Sequence, residues 1–330
     1  MNIRLLHLLR AAGGMFVPWA ALAPDPDPLT RDLDELEAFG FAIERHPYYG
    51  VAYRGPARKL CPDQIEWELG TARIGRRVAV WNRVGSTNDI AARAAGSAAN
   101  AGLVVLAEEQ TAGRGRRGRS WSAPPASSLL MSVLLFPPPE LDDPAWLTAL
   151  GAVAVAEVVE AWARCAARIK WPNDVRVAGR KVAGILVERG PGAVLGIGLN
   201  GNVAAEEFPD ELRPTATSLG ILAGRAIDRS ELARDLIRRL DARYGEGLAG
   251  GADALGRSWR GRFEALGRRV VVETTSGPVA GLLADADLRR GLTVAAADGR
   301  TRRIPGPEVL GLRPAPGAGA APLEPGGAGW

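Results

Sequence analysis

Between Glu108 and Trp121 the chain reads E-E-Q-T-A-G-R-G-R-R-G-R-S-W, a glycine–arginine loop that leaves a strand and cannot enter a helix. Upstream, Leu103 to Ala107 has the unbroken apolar character of a buried strand. Downstream, Ser120-Trp121-Ser122-Ala123 meets Pro124-Pro125 and then a second apolar run, Ser128 to Phe136. Gly113-x-Gly115-x-x-Gly118 formally satisfies the dinucleotide fingerprint, and Gly113 to Ser120 nearly satisfies Walker A with Arg119 in the lysine position. Both motifs need a helix whose N-terminus faces the phosphates. Two prolines and a strand exclude that helix, so neither motif applies. Four guanidinium groups, Arg114, Arg116, Arg117 and Arg119, repel one another across a backbone loosened by Gly113, Gly115 and Gly118. Such a loop is expected to be mobile when empty and to order around an anion. The competing reading is a solvated basic loop or a nucleic-acid patch.

The rest of the chain is read as α/β in order. Ile3 to Ala12 is an amphipathic helix, not a signal-peptide core, because Arg4, His7 and Arg10 interrupt its apolar side. A turn at Pro18 to Leu22 and a Pro/Asp hinge at Pro24 to Pro28 precede a helix from Arg31 to Phe39, capped by Thr30. A hairpin from Phe41 to Glu44 and Gly50 to Tyr53 completes the order of a winged helix-turn-helix. DNA binding is not expected: the helix that would enter the groove carries Asp32, Asp34, Glu35 and Glu37 against Arg31 alone. After a connector with a helix near Asp63 to Leu69, strands are expected at Val78 to Trp81, Leu103 to Ala107 and Ser128 to Phe136. Helices are expected from Ser86 to Ala99 and from Ala145 to Ala163. Ile169 to Val175 reads as a turn, then Lys181 to Glu188 and Val194 to Leu199 as a strand pair. Helices at Ser230 to Tyr244 and Asp253 to Leu266 lead to four short strands beginning at Val270, Val279, Leu292 and Thr301, a small SH3-like barrel. Pro314 to Trp330 reads as a disordered tail.

A formal charge of +4 on 330 residues argues against a protein that coats nucleic acid. Cys61 and Cys165 are far apart and form no CxxC, which excludes a disulfide framework or structural zinc site and fits a reducing cytoplasm. No segment is expected to reach the length of a charge-free membrane span. Histidine occurs only at His7 and His46, so the remainder of the chain cannot hold a Ser-His-Asp triad. Lysine occurs only at Lys59, Lys170 and Lys181 in a chain that otherwise uses arginine. Two lysines eleven positions apart therefore suggest a need for a compact ammonium there.

Taken together, Ser86-Thr87-Asn88, Glu109 to Trp121, Lys170-Trp171-Pro172-Asn173-Asp174, Gly179 to Glu188 and Gly196 to Asn200 resemble, in order and spacing, the biotin–protein ligases. The resemblance implies a mixed-sheet catalytic domain at 77–266, a winged-helix-like module at 1–57, a connector at 58–76, an SH3-like barrel at 267–313 and a tail at 314–330. It implies two steps: biotin and Mg-ATP form biotinyl-5′-AMP, and a lysine of a biotin carboxyl carrier protein then takes the biotin. Ser86, Thr87, Asn88 and Gln110 match positions that hold the biotin ring. Arg114, Gly115 and Arg116 match the loop that closes over biotin, Arg116 retaining the intermediate. Arg119, Trp121 and Asn200 fall on the nucleotide side. Lys181 contacts carboxylate and α-phosphate beside Gly184, and Asp174 is the expected Mg²⁺ ligand or carrier-lysine contact. Two departures stand out: Ala126-Ser127-Ser128 replaces a glycine-containing turn, and Gly201 replaces a bulkier apolar residue, which is expected to loosen the nucleotide side. Two alternatives remain, a bifunctional ligase and biotin-operon repressor, and a lipoate or octanoyl ligase. A homodimer stays open.

Overall fold

Apolar spacing at the start of the chain produces helix α1 (Ile3–Ala11), with Leu5, Leu6 and Leu9 buried and Asn2 capping the Leu5 N–H at 2.9 Å. The computed structural model describes residues 1–22, 26–296 and 299–315. After α2 (Trp19–Leu22), α3 (Pro26–Phe39) begins well before the expected Thr30 cap. Proline in a first turn forfeits no intrahelical bond, so the Pro/Asp run enters the helix instead of breaking it. Pro24-Asp25 of the expected hinge lies outside the described residues. Strands β1 (Ala42–His46) and β2 (Gly50–Gly55) pair as the hairpin, and Arg45 on β1 binds Asp34 (2.6 Å) and Glu37 (2.8 Å) of α3.

Helix α4 (Pro62–Glu66) lies in the connector and is shorter than expected. The middle of the chain then runs β3 (Arg77–Val84), α5 (Thr87–Ala94), β4 (Leu103–Gln110), β5 (Leu129–Leu135), α6 (Pro144–Ala163), β6 (Arg168–Lys170), β7 (Asp174–Val177), β8 (Arg180–Arg189), β9 (Ala193–Leu199), α7 (Leu219–Ala223) and α8 (Arg229–Glu246). The seven strands form one mixed sheet in the order β3-β4-β5-β9-β8-β7-β6, parallel only between β3 and β4. The segment expected as a turn from Ile169 to Val175 is instead a tight hairpin, with β6 and β7 flanking a cis Trp171-Pro172 bond. Helix α5 ends at Ala94 and a short 3₁₀ turn, Ala98–Asn100, takes the place of its expected last residues.

Side chains alternate across a strand, so register assigns faces. Gly151 of α6 approaches Leu195 and Ile185, whereas Gly196, next to Leu195 in sequence, faces Asn88 of α5. Helix α6 thus covers one face, and α5 covers part of the other. Contrary to the sequence expectation, α6 is long and apolar enough to cross a membrane by length and composition. Its residues Trp146, Leu147, Leu150, Val153 and Val155 are instead buried in the core of this unit.

The connector is clamped along α8. Buried Arg229 reaches Glu108 (2.6 Å), while the Leu60 N–H donates to the other Glu108 oxygen (2.5 Å). Arg234 donates to the carbonyls of Gln64 and Ile65, and the Asp241 carboxylate accepts from the N–H groups of Ala72, Arg73 and Ile74. Backbone polar groups buried without a strand partner need such bonds, and one helix supplies them.

The two departures noted in the sequence meet in space. Ala126 sits at φ +57°, a left-handed conformation suited to glycine. A Cβ on Gly201 would lie 2.8 Å from the Ser127 carbonyl oxygen, and the Asn202 N–H donates to that same oxygen at 2.6 Å. Gly201 therefore does not loosen this side, as the sequence suggested; it admits the 126–128 turn. The left-handed strain on Ala126 is about 1–2 kcal/mol, partly offset by the lower unfolded-state entropy of alanine. Ala126→Gly is expected to stabilise the protein by about 0.5–1 kcal/mol. A denaturation midpoint that is unchanged or lowered would remove this account.

The chain divides into two compact units, Met1–Leu255 and Gly256–Trp330. Helix α9 (Ala252–Arg262) leads into the second, whose strands are β10 (Arg269–Thr274), β11 (Gly277–Asp287), β12 (Gly291–Ala295), β13 (Thr301–Ile304) and β14 (Val309–Pro314). Their order is β13-β12-β11-β10-β14, all antiparallel. Five strands replace the expected four. The fifth carries Pro314 at its end on an edge, where a missing N–H costs little, and the Ala315 N–H still donates to Arg269. The expected tail thus begins later than Pro314, and its residues 316–330 lie outside the described residues.

Candidate active site

The strand register builds a floor on the face opposite α6. Leu130, Gly198, Gly184 and Asp174 form one cross-strand row over β5, β9, β8 and β7. Ser132, Gly196 and Leu186 form the next row, and Leu134, Val194 and Glu188 the third. Glycine in the first two rows leaves space above the sheet. Asn88 fills it over Gly196, where a Cβ would lie 2.4 Å from its Oδ1. Trp121 fills it over Gly198, where a Cβ would lie 2.4 Å from the indole Cε2.

Lys181 reaches this face by an irregularity. Pairing runs Val175 to Ala183, then Arg176 to Lys181, so β8 carries Val182 as an extra residue. Such a bulge reverses the alternation beyond it. Lys181 would otherwise share the α6 face with Ala183 and Ile185. Its ammonium instead lies 2.7 Å from Asp174 Oδ1 and 5.3 Å from the Trp121 ring centroid. The Lys181 backbone is pinned from outside, its N–H donating to Thr215 and its carbonyl accepting from Thr217.

The arginine loop folds as a tight hairpin. The Trp121 N–H donates to Gly113 (2.9 Å) and the Gly115 N–H to Arg119 (2.6 Å), around a turn with Arg117 and Gly118 at positive φ. Arg114 is met within the chain by Asp89 (2.6 Å) and Glu188 (3.0 Å). The Arg114 bonds hold the Asp89 carboxyl below its ordinary range. Burial works against the Glu188 charge, but bonds from Arg114 and Asn88 outweigh it and lower its pKa as well. Arg116 and Arg119 remain exposed, and Arg116 feels the Asp174 carboxylate through space. Arg114 to Arg119, with Leu186 and Glu188, line an open cavity of 540 Å³, within the range of small-molecule sites.

A polar chain runs beneath the loop. Gln110 Oε1 accepts from the Thr87 N–H (2.7 Å) and hydroxyl (2.9 Å). Ser132 Oγ lies 2.7 Å from Thr87 Oγ1 and 2.5 Å from Asn88 Oδ1, and Asn88 Nδ2 donates to Glu188 at 2.6 Å. Ser86 caps α5 through the Asn88 N–H. The expected residues Ser86, Thr87, Asn88 and Gln110 are therefore together, as are Lys181, Asp174, Gly184 and Trp121. Asn200 is not free for a ligand on its amine side: it is buried and its Nδ2 donates to the Thr217 carbonyl at 3.0 Å. Sequence reading missed Ser132, Asp89 and Glu188 as site members. Strand alternation gives Ser132 and Glu188 the parity of Gly196 and Gly184, but only pairing shows that those strands are neighbours. Among the described residues no three His, Cys, Asp or Glu side chains gather as a metal site. A single carboxylate at Asp174 fits a Mg²⁺ ion whose other ligands are phosphate oxygens and water.

The biotin/lipoate A/B protein ligase family model matches residues 80–201. The bifunctional ligase/repressor BirA of Bacillus subtilis (strain 168) is 31% identical over 283 residues, covering 83% of this chain and 87% of the relative. The biotin–[acetyl-CoA-carboxylase] ligase of Mycobacterium tuberculosis is 38% identical over 255 residues, covering 74% and 92%. Among solved structures, a biotin protein ligase from Aquifex aeolicus in complex with biotin and ATP matches with a TM-score of 0.65 at 26% identity, over 73% of this chain and 100% of that one. Identity at this level, across most of both relatives, makes the chain a biotin protein ligase of the biotin/lipoate A/B protein ligase family.

Proposed function

We propose that this protein joins biotin to a lysine of a biotin carboxyl carrier protein, using ATP. The observation that carries the reading is Lys181, an ammonium 2.7 Å from Asp174 on a glycine floor beside the arginine-lined cavity. A carboxylate is a poor acyl donor, and adenylation gives it a leaving group. A biotin carboxylate oxygen attacks the α-phosphorus of ATP, the α–β bridging bond breaks and pyrophosphate departs. The carrier lysine, as a neutral amine, then attacks the biotinyl carbonyl, AMP leaves and the amine loses a proton.

Ser86, Thr87, Asn88 and Gln110 hold the ureido ring, whose N–H and C=O groups suit their acceptors and donors. Lys181, a mobile point charge, follows the negative charge from carboxylate to α-phosphate. Arg119 and Trp121 take phosphate and adenine by charge and stacking. Asn200 acts indirectly, holding the 215–217 segment against Lys181. Asp174 would hold Mg²⁺, which when bound with the nucleotide would neutralise charge on the phosphates. Arg114, Gly115 and Arg116 close the site over the anhydride and keep water from it. Arg116→Gly is expected to make adenylate at near-normal rate but release it about tenfold faster; unchanged retention on gel filtration would sink the lid role.

The domains are read as a shortened winged-helix-like module at 1–57, a connector at 58–76, a catalytic domain at 77–266 and an SH3-like barrel from 267. The module docks and does not repress transcription: α3 carries Asp32, Asp34, Glu35 and Glu37 against Arg31 alone, and Arg45 of β1 offsets only part of that charge. Free Cys61 and Cys165 suit work in the cytoplasm. Biotin-dependent pyrophosphate release tests the whole reading. Lipoyl-AMP formation without biotinyl-AMP would overturn it, and sequence-specific operator binding at physiological salt would overturn the docking role.

A further inference from the structure

We propose that Glu188 is a positioning residue that couples the ring pocket to the arginine loop, orienting Asn88 and anchoring Arg114 with one carboxylate. Asn88 Nδ2 donates to Glu188 Oε2 at 2.6 Å, and the Arg114 guanidinium donates to both Glu188 oxygens at 3.0–3.1 Å. The Asn88 amide could be held either way round by neighbours that both donate and accept. Ser132, a hydroxyl 2.5 Å from Asn88 Oδ1, is such a neighbour. A carboxylate only accepts, so Glu188 forces the amide NH₂ toward itself and the oxygen toward Ser132. Gly196 then lets Asn88 sit close above the sheet.

Asp89 provides the contrast. It binds Arg114 through both of its oxygens, at 2.6 and 3.1 Å, yet its side chain takes no part in the Asn88 amide bonds described. Arg114 thus has two carboxylate anchors, and of these Glu188 also sets the presentation of Asn88. Glu188 lines the cavity beneath the loop, so a ligand that engages Asn88 acts on the same carboxylate that holds the loop. This rests on the reading that Asn88 faces biotin.

The test compares Glu188→Gln with Asp89→Asn in the full-length protein. Without ligand, trypsin cleavage mapped to residues 114–119 is expected to quicken about threefold in both, since each loses one partly exposed ion pair. Biotin slows that cleavage in the wild type and in Asp89→Asn, but not in Glu188→Gln. The KM for biotin rises about tenfold in Glu188→Gln, as for a lost charged hydrogen bond, with kcat within about threefold. Protection by biotin that survives in Glu188→Gln overturns the coupling, and so does its equal loss in both variants. Unchanged ligand-free cleavage in Glu188→Gln overturns the anchor. A wild type that forms no biotinyl-adenylate strikes instead at the biotin reading, and the ligand-free cleavage rates still decide whether Glu188 anchors Arg114.

Discussion

Lys181→Ala is expected to lower biotin-dependent pyrophosphate release by about 10²–10³-fold, the scale of removing one preorganised charge contact to a transition state. The loss belongs to the chemistry because the fold does not depend on this ammonium. Lys181 and Asp174 are both partly exposed, at 35% and 24% for the side chains, so truncation leaves no deeply buried charge behind. The Lys181 backbone keeps its bonds to Thr215 and Thr217 whatever the side chain. Lys181→Arg is not expected to rescue, since a planar fork beside the Trp121 ring and Gly184 replaces a compact charge. Melting temperature should stay near that of the wild type in both. Retention of more than about a tenth of the activity by Lys181→Ala would remove it from the charge-transfer role.

Gly198→Val should produce the next largest effect. A Cβ at this position meets three indole atoms within 2.4–2.8 Å, and an aromatic ring cannot bend out of the way. The ring must move, and its cation–π partner Lys181 loses its neighbour. Overpacking of this kind costs about 1–3 kcal/mol, and if that displacement falls on the nucleotide side, KM for ATP rises by about 10–100-fold. The defect should be relieved by shrinking the ring: the pair Gly198→Val and Trp121→Leu is expected to be less impaired than the two separate losses would sum to. Strict additivity would mean that Trp121 does not transmit the effect. Stability, followed by chemical unfolding, separates this outcome from general misfolding.

Several features were legible from local sequence for a physical reason. Helix α1, strand β4 and the stop at Pro124-Pro125 follow from periodicity, apolar runs and the lack of a proline N–H, all of which act within a few residues. Helix α3 was misplaced because prolines were read as breakers, although a first turn tolerates them. Strand β14 was missed because V-L-G-L-R-P, on an edge, shows little of the alternation that marks a half-buried strand. The clamp of the connector by α8 joins residues about 170 positions apart, beyond any local pattern.

The arginine loop shows the division most clearly. Its sequence alone determined that no helix follows it, that it is cationic, and that two lysines, Lys170 and Lys181, lie downstream of it. Tertiary structure decided where those charges go. Arg114 is neutralised by Asp89 and Glu188, which are 25 and 74 positions away. Lys181 faces the site only because β8 carries an extra residue opposite β7. Alternation is a property of one strand and can be read from its residues, whereas a bulge is a property of two strands in register. Until β7 and β8 pair, nothing in the sequence places Lys181 on the face of Asp174 rather than on the face of α6.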